Sequence, residues 1–110
     1  MFDMMKMMGK LKEVQENVKK AQEGLKDITA TGESGAGMVT ATVNGNKEVI
    51  DLEIDESLIT KEDSDMMKDL IIAAINKAIS EADVKSKEHM KKATEGMIPN
   101  IPGFDLNNMV

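Results

Sequence analysis

Residues 38–54 read MVTATVNGNKEVIDLEI, and this stretch decides the architecture. Val39, Ala41 and Val43 alternate with Thr40 and Thr42, the two-residue period of an extended strand. Asn44-Gly45-Asn46 follows, and both residue types tolerate the positive φ that tight turns use. Between Val49 and Ile54, Ile50, Leu52 and Ile54 share one side while Asp51 and Glu53 share the other. The segment predicts a β-hairpin, Met38–Val43 against Val49–Ile54, with one buried and one solvated side.

Upstream of the hairpin, GESGAG at residues 32–37 interrupts any helix, and Ile28–Thr31 is expected as a short strand leading into it. Further back, Met4, Met7, Leu11, Val14, Val18, Ala21, Leu25 and Ile28 recur at alternating steps of three and four. An a/d seam sustained over roughly three heptads predicts a long helix lying along a second helix. Gly9 and Gly24 each weaken that helix by up to about 1 kcal/mol, so packing has to sustain it. Methionine dominates the first turns, where flexible thioethers fill an irregular interface.

Downstream, Thr60 with Asp63 forms a variant capping box and places a helix start near Lys61. Apolar positions then repeat from Met66 through Leu70, Ala74, Ala78 and Ala82, a stripe broad enough to cover a sheet. Beyond Ala82 the stripe thins to Ser86, Met90 and Ala93, which predicts that the helix leaves the core as an exposed arm. Gly96 ends it. The expected class is α+β: a long N-terminal helix, a short antiparallel sheet of about three strands and a long C-terminal helix. Residues 1–96 form one domain, and 97–110, with Pro99, Pro102 and Gly103, are expected as a flexible tail.

The residue types present narrow the chemistry. The chain has no cysteine, which excludes disulfides and thiolate metal sites. Asp3 and Lys6 interrupt the first apolar residues before a signal peptide can form, and no apolar run approaches the ~20 residues of a membrane span. A cytoplasmic protein with no membrane partner is expected. No nucleophile–base pair can be assembled, so no enzyme, no small-molecule substrate and no cofactor are expected. His89 is the one histidine and is expected as a solvated surface residue. Asp51 and Glu53 read as edge protection rather than a metal site, and the glycines at 32, 35 and 37 lack the lysine of a phosphate loop.

Several stretches resemble the YbaB/EbfC family of bacterial nucleoid-associated proteins. They are MMKMMGKLKEVQ near the start, GAGMVTATVNG at 35–45, EIDESLI at 53–59, DLIIAAINKAISEA at 69–82 and MIPNIPGF at 97–104. The resemblance implies a tweezer-like homodimer whose helical arms project from a joined sheet. It also implies DNA binding that affects nucleoid organisation and gene expression.

Charge is the remaining signal. The net charge is −6, yet the acids gather centrally and the lysines near both ends. Helix 1 enters the sheet at its carboxyl end and helix 2 leaves it, so antiparallel packing is expected to bring both basic clusters to one distal tip. The candidate double-stranded-DNA contacts are Lys6, Lys10 and Lys12 from the first helix, and Lys85, Lys87, Lys91 and Lys92 from the second. The chain contains no arginine, and ammonium groups reach phosphates but read bases poorly, so backbone-dominated binding is expected. With two phenylalanines and no Trp or Tyr, stacking on single strands is disfavoured. A coiled-coil adaptor or chaperone-like clamp without direct DNA binding is the alternative. A homodimer is expected because a sheet this small leaves an unpaired edge.

Overall fold

In the computed structural model, backbone is described for residues 2–95 and side chains for residues 4–95. The expected tail, 97–110, lies outside the described residues. Helix α1 spans Phe2–Gly24 and ends in a single 3₁₀ turn, Leu25–Asp27. Strands β1 (Thr29–Ser34), β2 (Val39–Asn44) and β3 (Val49–Ile54) follow, then a 3₁₀ turn at Glu56–Leu58 and helix α2 (Ser64–Thr94). The three strands form one antiparallel sheet in the order β1-β2-β3. The molecule is elongated, 73 × 25 × 16 Å.

The hairpin stands where its alternation put it. Val39, Ala41 and Val43 are buried, while Thr40 and Thr42 face the other way and are half-exposed. Asn44 fastens the turn: its side-chain oxygen accepts from the amides of Asn46 and Glu48, each at 3.0 Å. A register shift between Thr42 and Val43 bulges the pairing with β3.

β1 is longer than the sequence suggests. It runs straight through Gly32, which the sequence assigns to a helix-breaking loop, and the chain turns only at Gly35, Ala36 and Gly37, all at positive φ. Gly32 has a packing reason to lack a side chain. A Cβ there would collide with the Ala74 carbonyl oxygen and the Ala78 amide nitrogen of α2. Glycine in this strand marks the close approach of a helix backbone.

α2 lies across β1 and β2 on a stripe repeating every four residues: Ala74, Ala78, Ala82, Ser86, Met90 and Thr94. The first three alanines belong to the core with Ala30, Val39, Ala41, Val43 and Leu58, flanked by Leu70, Ile71, Ile75 and Ile79. Helix α2 begins at Ser64, three residues after the expected position, because Thr60 and Asp63 close a turn before it. Thr60 Oγ1 accepts from the Asp63 amide and donates to its carboxylate, both at 3.1 Å.

The second half of α2 is not an exposed arm. Ser86, Met90 and Thr94 are buried, because α1 returns antiparallel along that half. Replacing Gly32 with alanine is expected to cost about 1–3 kcal/mol, since backbone rather than a flexible side chain meets the added methyl. Urea unfolding followed by circular dichroism measures it, and an unchanged midpoint would refute the close approach.

Candidate nucleic-acid interface

Helices α1 and α2 form a two-helix arm whose register is fixed at three points. Ser86 Oγ donates to the Gly45 carbonyl at 2.8 Å, and the Gly45 amide donates to Leu25 O at 2.9 Å, joining both helices to the β2–β3 turn. A side chain at Gly45 would strike Leu25 O. Further out, His89 Nε2 donates to the Ala21 carbonyl at 3.0 Å. His89 is therefore a half-buried strut between helices, and not the solvated surface residue expected from sequence. The exposed imidazole reading fails because α1 covers that face of α2, and Gly24 leaves space beside the ring.

With Ala21 level with His89, each step back along α1 is a step outward along α2. Thr94 then stands level with about Glu16, and the remainder of α1 extends about 20 Å past it at 1.5 Å per residue. The two expected basic clusters consequently do not meet at one tip. Lys85, Lys87, Lys91 and Lys92 flank the inner arm, whereas Lys12, Lys10 and Lys6 follow at levels about 14–22 Å beyond Ala21. They form a row along the arm.

The lysines of α2 differ in what they touch. Lys85 Nζ donates to Thr29 O at 2.9 Å, and Lys77 Nζ donates to Glu33 O at 3.1 Å, both on β1. Lys87 pairs with Asp83 at 3.1 Å, and Lys47 from the β2–β3 turn pairs with the same carboxylate at 2.8 Å. Lys91 and Lys92 are exposed, as are Lys6, Lys10 and Lys12, and none of the five joins the ion pairs found among the described residues. Lys19 and Lys20 were missed by sequence reasoning. They are exposed and stand level with Lys91 and Lys92 once Ala21 is set against His89. Their Lys-Lys signal was visible, but only the register gives it neighbours.

The acids lie elsewhere. Asp51 and Glu53 on β3, Asp55 and Glu56 after it, and Asp65 and Asp69 at the start of α2 occupy the sheet and the opposite end. Separation of this kind lets a chain of net negative charge present a local cationic surface. Among the described residues no helix is long and apolar enough to cross a membrane.

A short antiparallel sheet carrying a projecting two-helix arm lined with cations defines a small binding protein of the nucleic-acid-associated class. A family profile described as the YbaB/EbfC DNA-binding family matches residues 1–97, and the chain belongs to that family. The family is one of DNA-binding proteins and is not a known enzyme family. A nucleoid-associated protein of Bartonella tribocorum is 40% identical over 106 residues, 96% of this chain and 98% of that one. Another from Exiguobacterium sp. is 46% identical over 85 residues, 77% of this chain and 79% of the relative. An uncharacterized protein from Helicobacter pylori has the same fold at TM-score 0.65 and 32% identity, covering 74% of this chain and 86% of that one.

Lys47 and Lys87 hold the Asp83 carboxyl below its ordinary range by hydrogen bonding. A depressed carboxyl pKa stabilises the fold above the ordinary carboxylate range, and that contribution disappears as pH falls through the depressed value. Asp83→Asn is therefore expected to melt lower than the parent at neutral pH, with the gap closing under strongly acidic conditions. A gap that stays constant with pH would show that the pair does not anchor the turn to α2.

Proposed function

We propose that this protein is a homodimeric, nucleoid-associated DNA-binding protein of the bacterial cytoplasm that grips double-stranded DNA mainly through backbone phosphates. The observation that carries the reading is the row of exposed lysines, from Lys91 and Lys92 past Lys19 and Lys20 to Lys12, Lys10 and Lys6, on one arm remote from the acids. An ammonium group is a compact point charge, suited to phosphate oxygens and poorly suited to bidentate base recognition. Sequence preference is accordingly weak, and the contribution of the lysines is electrostatic. Relatives named as nucleoid-associated proteins support the same location and role. No metal or cofactor enters the reading.

Among the proposed contacts, Lys85 and Lys87 stand apart because each already holds a partner in the fold. Their ammonium groups add to the local potential, while Lys6, Lys10, Lys12, Lys91 and Lys92 have more freedom to reach a phosphate.

The dimer rests on β3. Helix α2 covers β1 and β2 but leaves β3 open, so Val49, Ile50 and Leu52 are 48%, 53% and 37% exposed. Apolar side chains on an unpaired strand are what a second copy would cover. The other free edge is blunted, since Lys77 and Lys85 cap carbonyls of β1. Two subunits joined through β3 would double the cationic arms.

Two measurements test this reading. Lys91→Glu with Lys92→Glu should weaken a gel shift on duplex DNA at least tenfold without altering circular dichroism, and the log–log salt slope should flatten by about 0.9 for each phosphate that is no longer neutralised. Unchanged affinity and slope would remove the arm from DNA binding. Leu52→Asp should convert a dimer to a monomer in sedimentation analysis, and a variant that still sediments as a dimer would place the subunit contact elsewhere.

A further inference from the structure

The apolar seam of α1 is one continuous stripe, yet α2 covers only its inner part. Ala21 is 5% exposed and Val14 and Val18 are half-buried, whereas Met4, Met7, Met8 and Leu11 are 68%, 62%, 68% and 60% exposed. The boundary coincides with the end of α2, because Thr94 stands level with about Glu16. An apolar face about 20 Å long therefore begins where α2 stops and continues in the direction in which α2 was running.

The chain that emerges at that point has the composition to fill it. Residues 97–110, MIPNIPGFDLNNMV, carry Ile98, Ile101, Phe104 and Leu106, and Asp105 is their only charged side chain. Lys6, Lys10 and Lys12 lie on α1 beside the uncovered stripe, so the charges are complementary. Pro99 and Pro102 are incompatible with continuing the helix but suit an extended segment. At about 3.3 Å per residue, fewer than half of these residues need be extended to span the face. A tethered segment of this kind also competes at a high effective concentration against any partner arriving from solution.

We infer that residues 97–110 fold back along the outer half of α1 and cover Met4, Met7, Met8 and Leu11, completing the seam that α2 begins. The segment takes the place of the second helix over the last turns of the arm. Ile101 and Phe104 supply the apolar contact, and Asp105 faces the lysines that flank the stripe. The inference does not depend on DNA binding.

Methionine oxidation by peroxide reads the cover directly, because a thioether must be accessible to become a sulfoxide. In the full chain, Met4, Met7 and Met8 should oxidise several-fold more slowly than in Ile101→Asp/Phe104→Asp, by mass spectrometry of peptides, while Met66 oxidises equally in both. The substituted residues lie outside the described fold, and circular dichroism should stay unchanged. As a second readout, the chain has no native cysteine, so Asn107→Cys can carry a single nitroxide. That label should broaden the methyl signals of Met4, Met7 and Met8 but spare Met66. Equal oxidation in both proteins with no broadening overturns the inference. Protection that grows with protein concentration, and survives the double substitution, overturns it in favour of a second copy on the face.

Discussion

The structure depends on how closely α2 can lie on the sheet. Helix axes ordinarily keep their distance because side chains intervene, and here the chain removes them on both sides. Ala74, Ala78, Ala82 and Ser86 present small residues along α2, and Gly32 and Gly45 present none where the helix and the α1 junction pass. Ser34 donates its hydroxyl to the Leu70 carbonyl at one end of this contact, and Ser86 donates to the Gly45 carbonyl at the other. Such polar contacts would be poor substitutes for packing, but they fix the register along the helix. Once that register is set, the level of every lysine on the arm follows from helical geometry.

The same close approach explains why the arm exists. The small-residue stripe on α2 continues past the sheet into Ser86, Met90 and Thr94, and α1 is the layer that covers it there. One helix thus serves two successive partners, sheet first and helix afterwards. His89 bonds across the two helices close to the point of handover. The cations occupy the flanks that neither partner covers, which is why packing and charge do not compete for the same positions.

Much of this was legible in the sequence, and the reason is periodicity. The two-residue alternation of VTATV and the three–four spacing from Met4 to Ile28 each report a face, and the faces were found where expected. Readings failed where a residue's role is set by a partner distant in sequence. Gly32 looks like a loop breaker because the local chain says nothing of Ala74 and Ala78 crossing above it. His89 looks like a surface residue because Ala21, 68 positions away, is what buries it. The converging tip of lysines failed for another reason: the order of elements implies antiparallel packing, which is present, but says nothing of the unequal reach of the two helices beyond the sheet.

The two edges of the sheet show how charge decides where a small protein can grow. On β1, ammonium groups from Lys77 and Lys85 sit on the outward carbonyls of Glu33 and Thr29, so an approaching strand would have to displace charge-assisted hydrogen bonds. On β3 nothing comparable guards the edge among the described residues, and the strand alternates acids with exposed aliphatic side chains. The side chains that leave β3 unfinished are Ile50 and Leu52, on the face α2 does not reach because its small residues draw it toward β1 and β2. Tight packing on one half of the sheet and an open apolar strip on the other therefore have a single cause. A chain of this length that spent its smallest residues on close helix–sheet contact has too little surface left to cover its third strand alone. Association through that strand buries what folding of one copy could not.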